Sequence, residues 1–321
     1  MQPIKFRPIL KETLWGGGKI AKFKHIGGQE GRRIGESWEI SGVSGNESVA
    51  VEGPCEGKTL AQITAEMKAG LVGRDNYRRF GDTFPLLVKF IDAARQLSVQ
   101  VHPDDATAQR HGMKNGKTEM WYIMDSEPYA TLRCGLRNEL SPERYEQMVA
   151  DGTICDAIAE YQVKAGDCFF IPAGRVHSIG AGCLLAEIQQ TSDATYRIFD
   201  FNRVGKDGRP RELHTRLAAE CIDYTVESDY RTRYTPVKNG GAQLVKSKFF
   251  TTSVYDIDSR LRLDYSRLDS FVILIGLKGE AVLTDNEGGT VTLRGGETVL
   301  VPAMTTALQV EGEIKMLETY V

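Results

Sequence analysis

Several signals that would point to a function class are missing from this chain of 321 residues. Its six cysteines, Cys55, Cys134, Cys155, Cys168, Cys183 and Cys221, include no Cys-x-x-Cys pair, so they are expected to be free, buried thiols in a reducing cytosol. Basic residues are not in excess: 40 Lys and Arg stand against 43 Asp and Glu, and the net charge of −3 argues against a nucleic-acid partner. No apolar run approaches the ~20 residues needed to span a bilayer, and no charged-then-apolar signal opens the chain. A cytoplasmic protein with no membrane partner is expected. Glycine is plentiful in the first 50 residues, yet Trp15-Gly16-Gly17-Gly18-Lys19 lacks the spacing of a nucleotide loop.

What is present is ordinary in bulk and unusual in one place. The hydrophobic content of 41% and charged content of 26% suit a soluble globular protein, and the length allows two domains. The unusual place is Ser98-Val99-Gln100-Val101-His102-Pro103-Asp104. Leu97, Val99 and Val101 fall on one face of a strand, and Ser98, Gln100 and His102 on the other. A strand with a wholly polar face, ended by proline, predicts a barrel with a binding site inside. The imidazole and amide, two residues apart, can reach a common metal ion.

Along the chain, a helix capped by Thr59 is predicted over residues 59–71, where Leu60, Ile63 and Met67 keep helical spacing. A buried strand follows from Pro85 to Ile91, then strands at residues 119–124 and 130–136. Ser141-Pro142-Glu143 opens a second predicted helix that runs to about Tyr161. Strands are predicted again at residues 167–171, 177–179, 184–190 and 196–201. Residues 204–210 read as a loop and residues 212–221 as a short helix. A boundary near Val237-Lys238-Asn239-Gly240-Gly241 divides the chain into domains 1–236 and 237–321, the second almost all short strands.

One segment occurs twice in outline. Gly166-Asp167-Cys168-Phe169-Phe170-Ile171-Pro172-Ala173 returns as Gly296-Glu297-Thr298-Val299-Leu300-Val301-Pro302-Ala303. Five residues beyond the first proline stands His177; five beyond the second stands Ala307. The pattern predicts one scaffold used twice, with functional side chains in the first copy only.

Alternation extends the candidate site. Lys117 and Glu119 share a face, and so do Arg175 and His177 if their strand stays extended. If these faces turn inward with Gln100 and His102, two imidazoles, a carboxylate and an amide surround one cation. That donor set suits zinc, with Fe(II) and Mn(II) also allowed by ligand type. A divalent ion with one Glu leaves about +1 on the site. Lys117 and a nearby arginine would make it attractive to a phosphate dianion. His25, His111 and His214 show no partner pattern.

The segments Gln100-Val101-His102-Pro103-Asp104, Gly116-Lys117-Thr118-Glu119-Met120-Trp121-Tyr122 and Ile171-Pro172-Ala173-Gly174-Arg175-Val176-His177 resemble those of the type I mannose-6-phosphate isomerases, zinc enzymes of the cupin superfamily. Trp15-Gly16-Gly17, Gly35-Glu36-Ser37-Trp38 and Ser192-Asp193 followed by Arg197 are similar to further segments of that family. The likeness covers most of residues 1–215, and residues 237–321 resemble a second, metal-free cupin more loosely. The resemblance implies a mainly β fold of two cupin-type jelly-roll barrels with a few short helices. It implies one Zn2+ per chain, held by Gln100, His102, Glu119 and His177. It also implies a lysine at Lys117, an acid and an arginine ten apart at Glu187 and Arg197, an aspartate at Asp193, and Ser98 near the substrate phosphate. The long helical insert of larger family members is absent here, so the chain resembles the compact bacterial form.

The implied reaction is aldose–ketose isomerisation of mannose 6-phosphate and fructose 6-phosphate through an enediol(ate). Its expected catalytic residues are Glu187, Lys117 and Arg197, with Glu187 as the proton-transfer base. Ser98, Lys117, Asp193 and Arg197 are expected to bind substrate, and the chain is expected as a monomer or weak homodimer. Two other readings fit a metal-binding cupin. A dioxygenase would use the His/Glu/His set for Fe(II), but Gln stands where a third His is expected and cations crowd the metal. A non-catalytic sugar-phosphate-binding cupin would bind the substrate without converting it.

Overall fold

Strand-forming runs dominate the chain, and the computed structural model, which describes residues 2–29, 31–205 and 208–321, gathers them into three antiparallel sheets. Seven strands form the central sheet, in the order Arg231–Thr232, Cys168–Ile171, Glu119–Ser126, Cys183–Gln190, Leu86–Ala93, Ile34–Ile40 and Ile9–Gly17. Five form the second, in the order Tyr196–Phe199, Val99–Val101, His177–Ile179, Thr131–Leu136 and Ile158–Gln162. The third has eight strands, drawn from residues 241–320 with Ile4–Lys5 added at its edge beside Thr298–Val301.

The mainly β class is observed, but the sheets are not closed barrels. The five- and seven-stranded sheets meet through side chains, not backbone pairing. Ile91, Trp121, Ile123 and Leu185 of one share a core with Leu132, Cys134 and Ile179 of the other. The central sheet is buried on its other face too, where Phe90, Met120, Ala186 and Ile188 pack with Phe250, Ile273, Ile275 and Leu317 of the C-terminal half. Strand alternation therefore separates a face turned to the five-stranded sheet from a face turned to the C-terminal half.

The predicted helices form, but shorter. Thr59 caps Leu60–Met67 through a capping box with Gln62, and the chain then bends at Lys68, whose φ is +51°. Ser141 caps Pro142–Ala150 by accepting from the Arg144 N–H. The expected continuation to Tyr161 is wrong: Gly152 turns the chain at a positive φ, and Ile158–Gln162 joins the five-stranded sheet. Within the predicted loop over residues 204–210, residues 206 and 207 lie outside the described residues. Helices at Arg74–Phe80 and Asp105–Arg110 were not anticipated. Among the described residues no helix is long and apolar enough to cross a membrane.

Candidate metal centre

The polar face of the Val99–Val101 strand turns into the space between the two sheets. Gln100 lies directly opposite His177 on one side and Arg197 on the other. Across the gap, Glu119 stands at the start of Glu119–Ser126, paired with Gln189 and Ile171. His102, Glu119 and His177 thus come from three segments and two sheets. Their ligand atoms all lie within 4.8 Å of one another, and all three are buried. Among the described residues this is the one such group.

The Glu119 carboxylate is central. Its two oxygens lie 3.4 Å from His102 Nε2 and 3.4 Å from His177 Nε2, and Lys117 Nζ approaches to 2.9 Å. Neither oxygen accepts a well-aligned hydrogen bond, although the residue is fully buried. A buried, unsatisfied carboxylate is costly unless a cation coordinates it. His177 Nδ1 sits 2.8 Å from the Arg175 carbonyl, which leaves Nε2 as the lone-pair atom facing Glu119. The Gln100 amide is 3.2 Å from His177 Nε2, and a half-turn of that amide presents its oxygen instead. Burial first, and then the Lys117 ammonium, push His102 down to about 3; burial lowers His177 as well. Both imidazoles are therefore neutral donors at neutral pH. Burial works against the Glu119 charge, but the Lys117 ammonium holds its carboxyl well below the usual range. The donor set fits a divalent cation of the zinc type.

Glu187 belongs to the same face. It is buried and directly opposite Lys89 on one neighbouring strand and Trp121 on the other. Lys89 Nζ lies 3.3 Å from Glu187 Oε1, and Trp121 Nε1 donates to Oε2 at 2.9 Å. Trp121 also packs edge-on against the His177 ring at 5.2 Å, so one indole touches both the metal group and the acid. Burial, and then the charge of Glu119, push the Glu187 carboxyl up, against the pull of Lys117 and Lys89. Lys89 itself would be lowered by burial, yet Glu36 and Glu187 together hold it above its ordinary value. Glu36 Oε2 is 3.7 Å from Lys89 and accepts from Trp38 Nε1 at 2.6 Å.

The other predicted residues divide. Lys117 lies with the group, 3.1 Å from His102 Nε2. Ser98 is buried, with Oγ 3.4 Å from Gln100 Oε1. Arg197 shares the row of Gln100 and His177, but its guanidinium donates to the Glu212 carbonyl at 2.8 Å, and its Nε has no partner. Asp193 is exposed, and no contact joins it to the metal group. Arg175, expected to share the inward face with His177, instead pairs with Glu227 and the Phe170 carbonyl. Lys89, Trp121, Trp38 and Glu36 were not singled out as site residues. A charged residue inside Leu86-Leu87-Val88-Lys89-Phe90-Ile91 was the available signal.

Comparison with known proteins agrees with this geometry. The family model for the type I phosphomannose isomerase catalytic domain matches residues 4–162, and that for the mannose-6-phosphate isomerase cupin domain matches residues 242–321. The mannose-6-phosphate isomerase ManA of Bacillus subtilis (strain 168) is 31% identical over 97% of this chain and 96% of its own length. The mannose-6-phosphate isomerase of Streptococcus mutans is 30% identical over 99% of this chain and 98% of its own. Among solved structures, the mannose 6-phosphate isomerase from Bacillus subtilis superposes with a TM-score of 0.89 and 28% identity, covering all of both chains. The phosphomannose isomerase from Salmonella typhimurium, at 15% identity and a TM-score of 0.83, shares the fold over 100% of this chain and 99% of its own.

Proposed function

The chain belongs to the type I phosphomannose isomerases, and on that premise we propose that it interconverts mannose 6-phosphate and fructose 6-phosphate at the site between the two sheets. The observation that carries this reading is the convergence of His102, Glu119 and His177 beside Lys117, with Glu187 buried nearby. Gln100, His102, Glu119 and His177 would hold one Zn2+ per chain. When bound, zinc supplies a Lewis acid for the sugar carbonyl.

The protein's own groups do the rest. Glu187 moves the proton between C2 and C1. Its burial favours the protonated form, which brings it toward the range where a carboxyl can both accept and return a proton. Lys89 and Trp121 hold its two oxygens from opposite sides, so the carboxyl presents a fixed edge to substrate. Lys117, the cation next to Glu119, assists ring opening or meets the phosphate, as does Arg197 once its guanidinium leaves the Glu212 carbonyl. Ser98 and Asp193 complete the substrate contacts. We read the two halves as two cupin-type jelly rolls, with domains 1–236 and 237–321. The proposal includes a cytoplasmic location and a monomeric or weakly dimeric state.

A coupled assay for fructose 6-phosphate formation tests the reading, run with chelator and again after zinc is returned. Turnover that stops on chelation and resumes with zinc is expected. Binding of mannose 6-phosphate with no interconversion would leave a sugar-phosphate-binding protein instead, and oxygen consumption with an organic substrate would mark a dioxygenase.

A further inference from the structure

The face of the central sheet turned away from the metal site also carries a cavity. In Glu119–Ser126, Glu119 and Trp121 point to the metal side, while Tyr122 and Met124 point to the opposite side. There a groove of about 780 Å³ opens between the sheet, the Lys19–Phe23 helix and the C-terminal half. Its floor is apolar and partly aromatic: Phe23, Tyr122, Met124, Leu184 and Leu277. Its lining carries four lysines against two acids.

The lysines are unequal. Lys19 is neutralised by Asp125 at 3.1 Å and Glu127 at 2.8 Å. Lys22, Lys278 and Lys315 make no ion pair with any described residue. Lys278 and Lys315 stand directly opposite each other on adjacent strands, an arrangement of like charges that costs stability unless an anion lies across it. Asp256, the next residue in that row, is already taken by Lys238 at 2.7 Å. Lys315 leans into the groove, with Nζ 5.9 Å from the Tyr122 ring centre. The Tyr122 hydroxyl is buried beside that of Tyr234, which donates to the Gly166 carbonyl at 2.8 Å.

We propose that this groove is a second ligand site, for a nucleotide whose base lies on the apolar floor and whose phosphates lie across Lys22, Lys278 and Lys315. The volume is that of an ordinary small-molecule site. Three unpaired cations call for more than one negative charge, which a carboxylate does not supply. The half-buried Phe23 ring at the edge of this floor calls for a planar ring, which a sugar phosphate lacks. The site is thus distinct in chemistry, as well as in position, from the isomerase site, and it does not depend on the isomerase reading.

The test is a calorimetric titration of the full chain with ADP, in the presence of saturating mannose 6-phosphate. Saturable binding of one ADP per chain is expected. The K278E/K315E variant should weaken it by at least about tenfold, the size of losing charge-assisted contacts, while leaving turnover unchanged. Adenosine alone and inorganic pyrophosphate alone should each bind at least about tenfold more weakly than ADP. If K278E/K315E fails to fold, K278Q/K315Q removes the same charges and is read in the same way. No saturable ADP binding, displacement of ADP by mannose 6-phosphate, or indifference to both variants would overturn the proposal. So would pyrophosphate binding as well as ADP, which would reduce the groove to a patch of charge.

Discussion

After Ile171-Pro172-Ala173 the chain places His177 in the space between two sheets, opposite Gln100 and 3.4 Å from Glu119. After Val301-Pro302-Ala303 it places Ala307, opposite the exposed Asp264, while the next residue, Leu308, joins an interior of Ile257, Val272, Leu274 and Val299. The two halves also bury a glutamate in contrasting company. Glu119 stands between two imidazoles with the Lys117 ammonium beside it, and that ammonium keeps it ionised. Glu318 accepts from Tyr265 Oη at 2.7 Å and Tyr255 Oη at 3.3 Å, neutral donors that do not offset burial, so its carboxyl is pushed up. The same turn can serve chemistry or packing. What decides is whether cations and imidazoles, or aliphatic side chains and phenols, fill the space behind it.

The largest test of that contrast is Glu187→Gln. The variant should keep its metal and lose turnover by about 10²–10⁴-fold, the usual contribution of a general acid–base group. Metal analysis beside the coupled assay reads both; normal turnover would refute the assignment of the base. Next comes Lys89→Met, which leaves Glu187 buried without its cation. Breaking a buried pair costs about 3–5 kcal/mol, measurable by urea denaturation. The Lys89→Met/Glu187→Gln double variant should lose less than the sum of the two, because a neutral amide needs no ammonium.

Ala307→His attempts to equip the blank half. The side chain stands opposite the exposed Asp264, on the face away from Leu308 and with no second imidazole beside it, so stability should fall by no more than about 1 kcal/mol and the metal content should stay at one per chain. A second bound metal would show that the C-terminal half still carries a latent site. The smallest effect is expected from Glu318→Gln. A carboxyl raised above its ordinary 4.5 in the fold binds its proton more tightly there than in the unfolded chain. Its favourable contribution is therefore complete below pH 4.5 and is lost as pH rises through the raised value. The amide should raise the melting temperature at pH 7, and the gain should vanish below pH 4.5.

The metal group was legible because it depends mostly on local rules. Strand alternation places Gln100 and His102 on one face, and Lys117 and Glu119 on another. The clustering around Glu187 was not. Lys89, Glu187 and Trp121 meet because the Leu86–Ala93, Cys183–Gln190 and Glu119–Ser126 strands pair in one register, which no segment encodes alone. Arg175 misled for the opposite reason: the chain does not stay extended between Pro172 and His177, since the Arg175 N–H bonds back to the Pro172 carbonyl at 3.1 Å. The second helix was overextended because helical spacing was followed past Gly152, where the chain turns at a positive φ. The open sheets were hidden too, because barrel closure is a property of backbone pairing between distant strands.

Metal content of the purified protein, set beside that of its Glu119→Ala variant, tests the central claim most directly. One equivalent of zinc-type metal per chain in the native protein, and loss of both metal and turnover in the variant, is the predicted result. Full turnover by native protein stripped of metal, or a variant that keeps its equivalent, would contradict it.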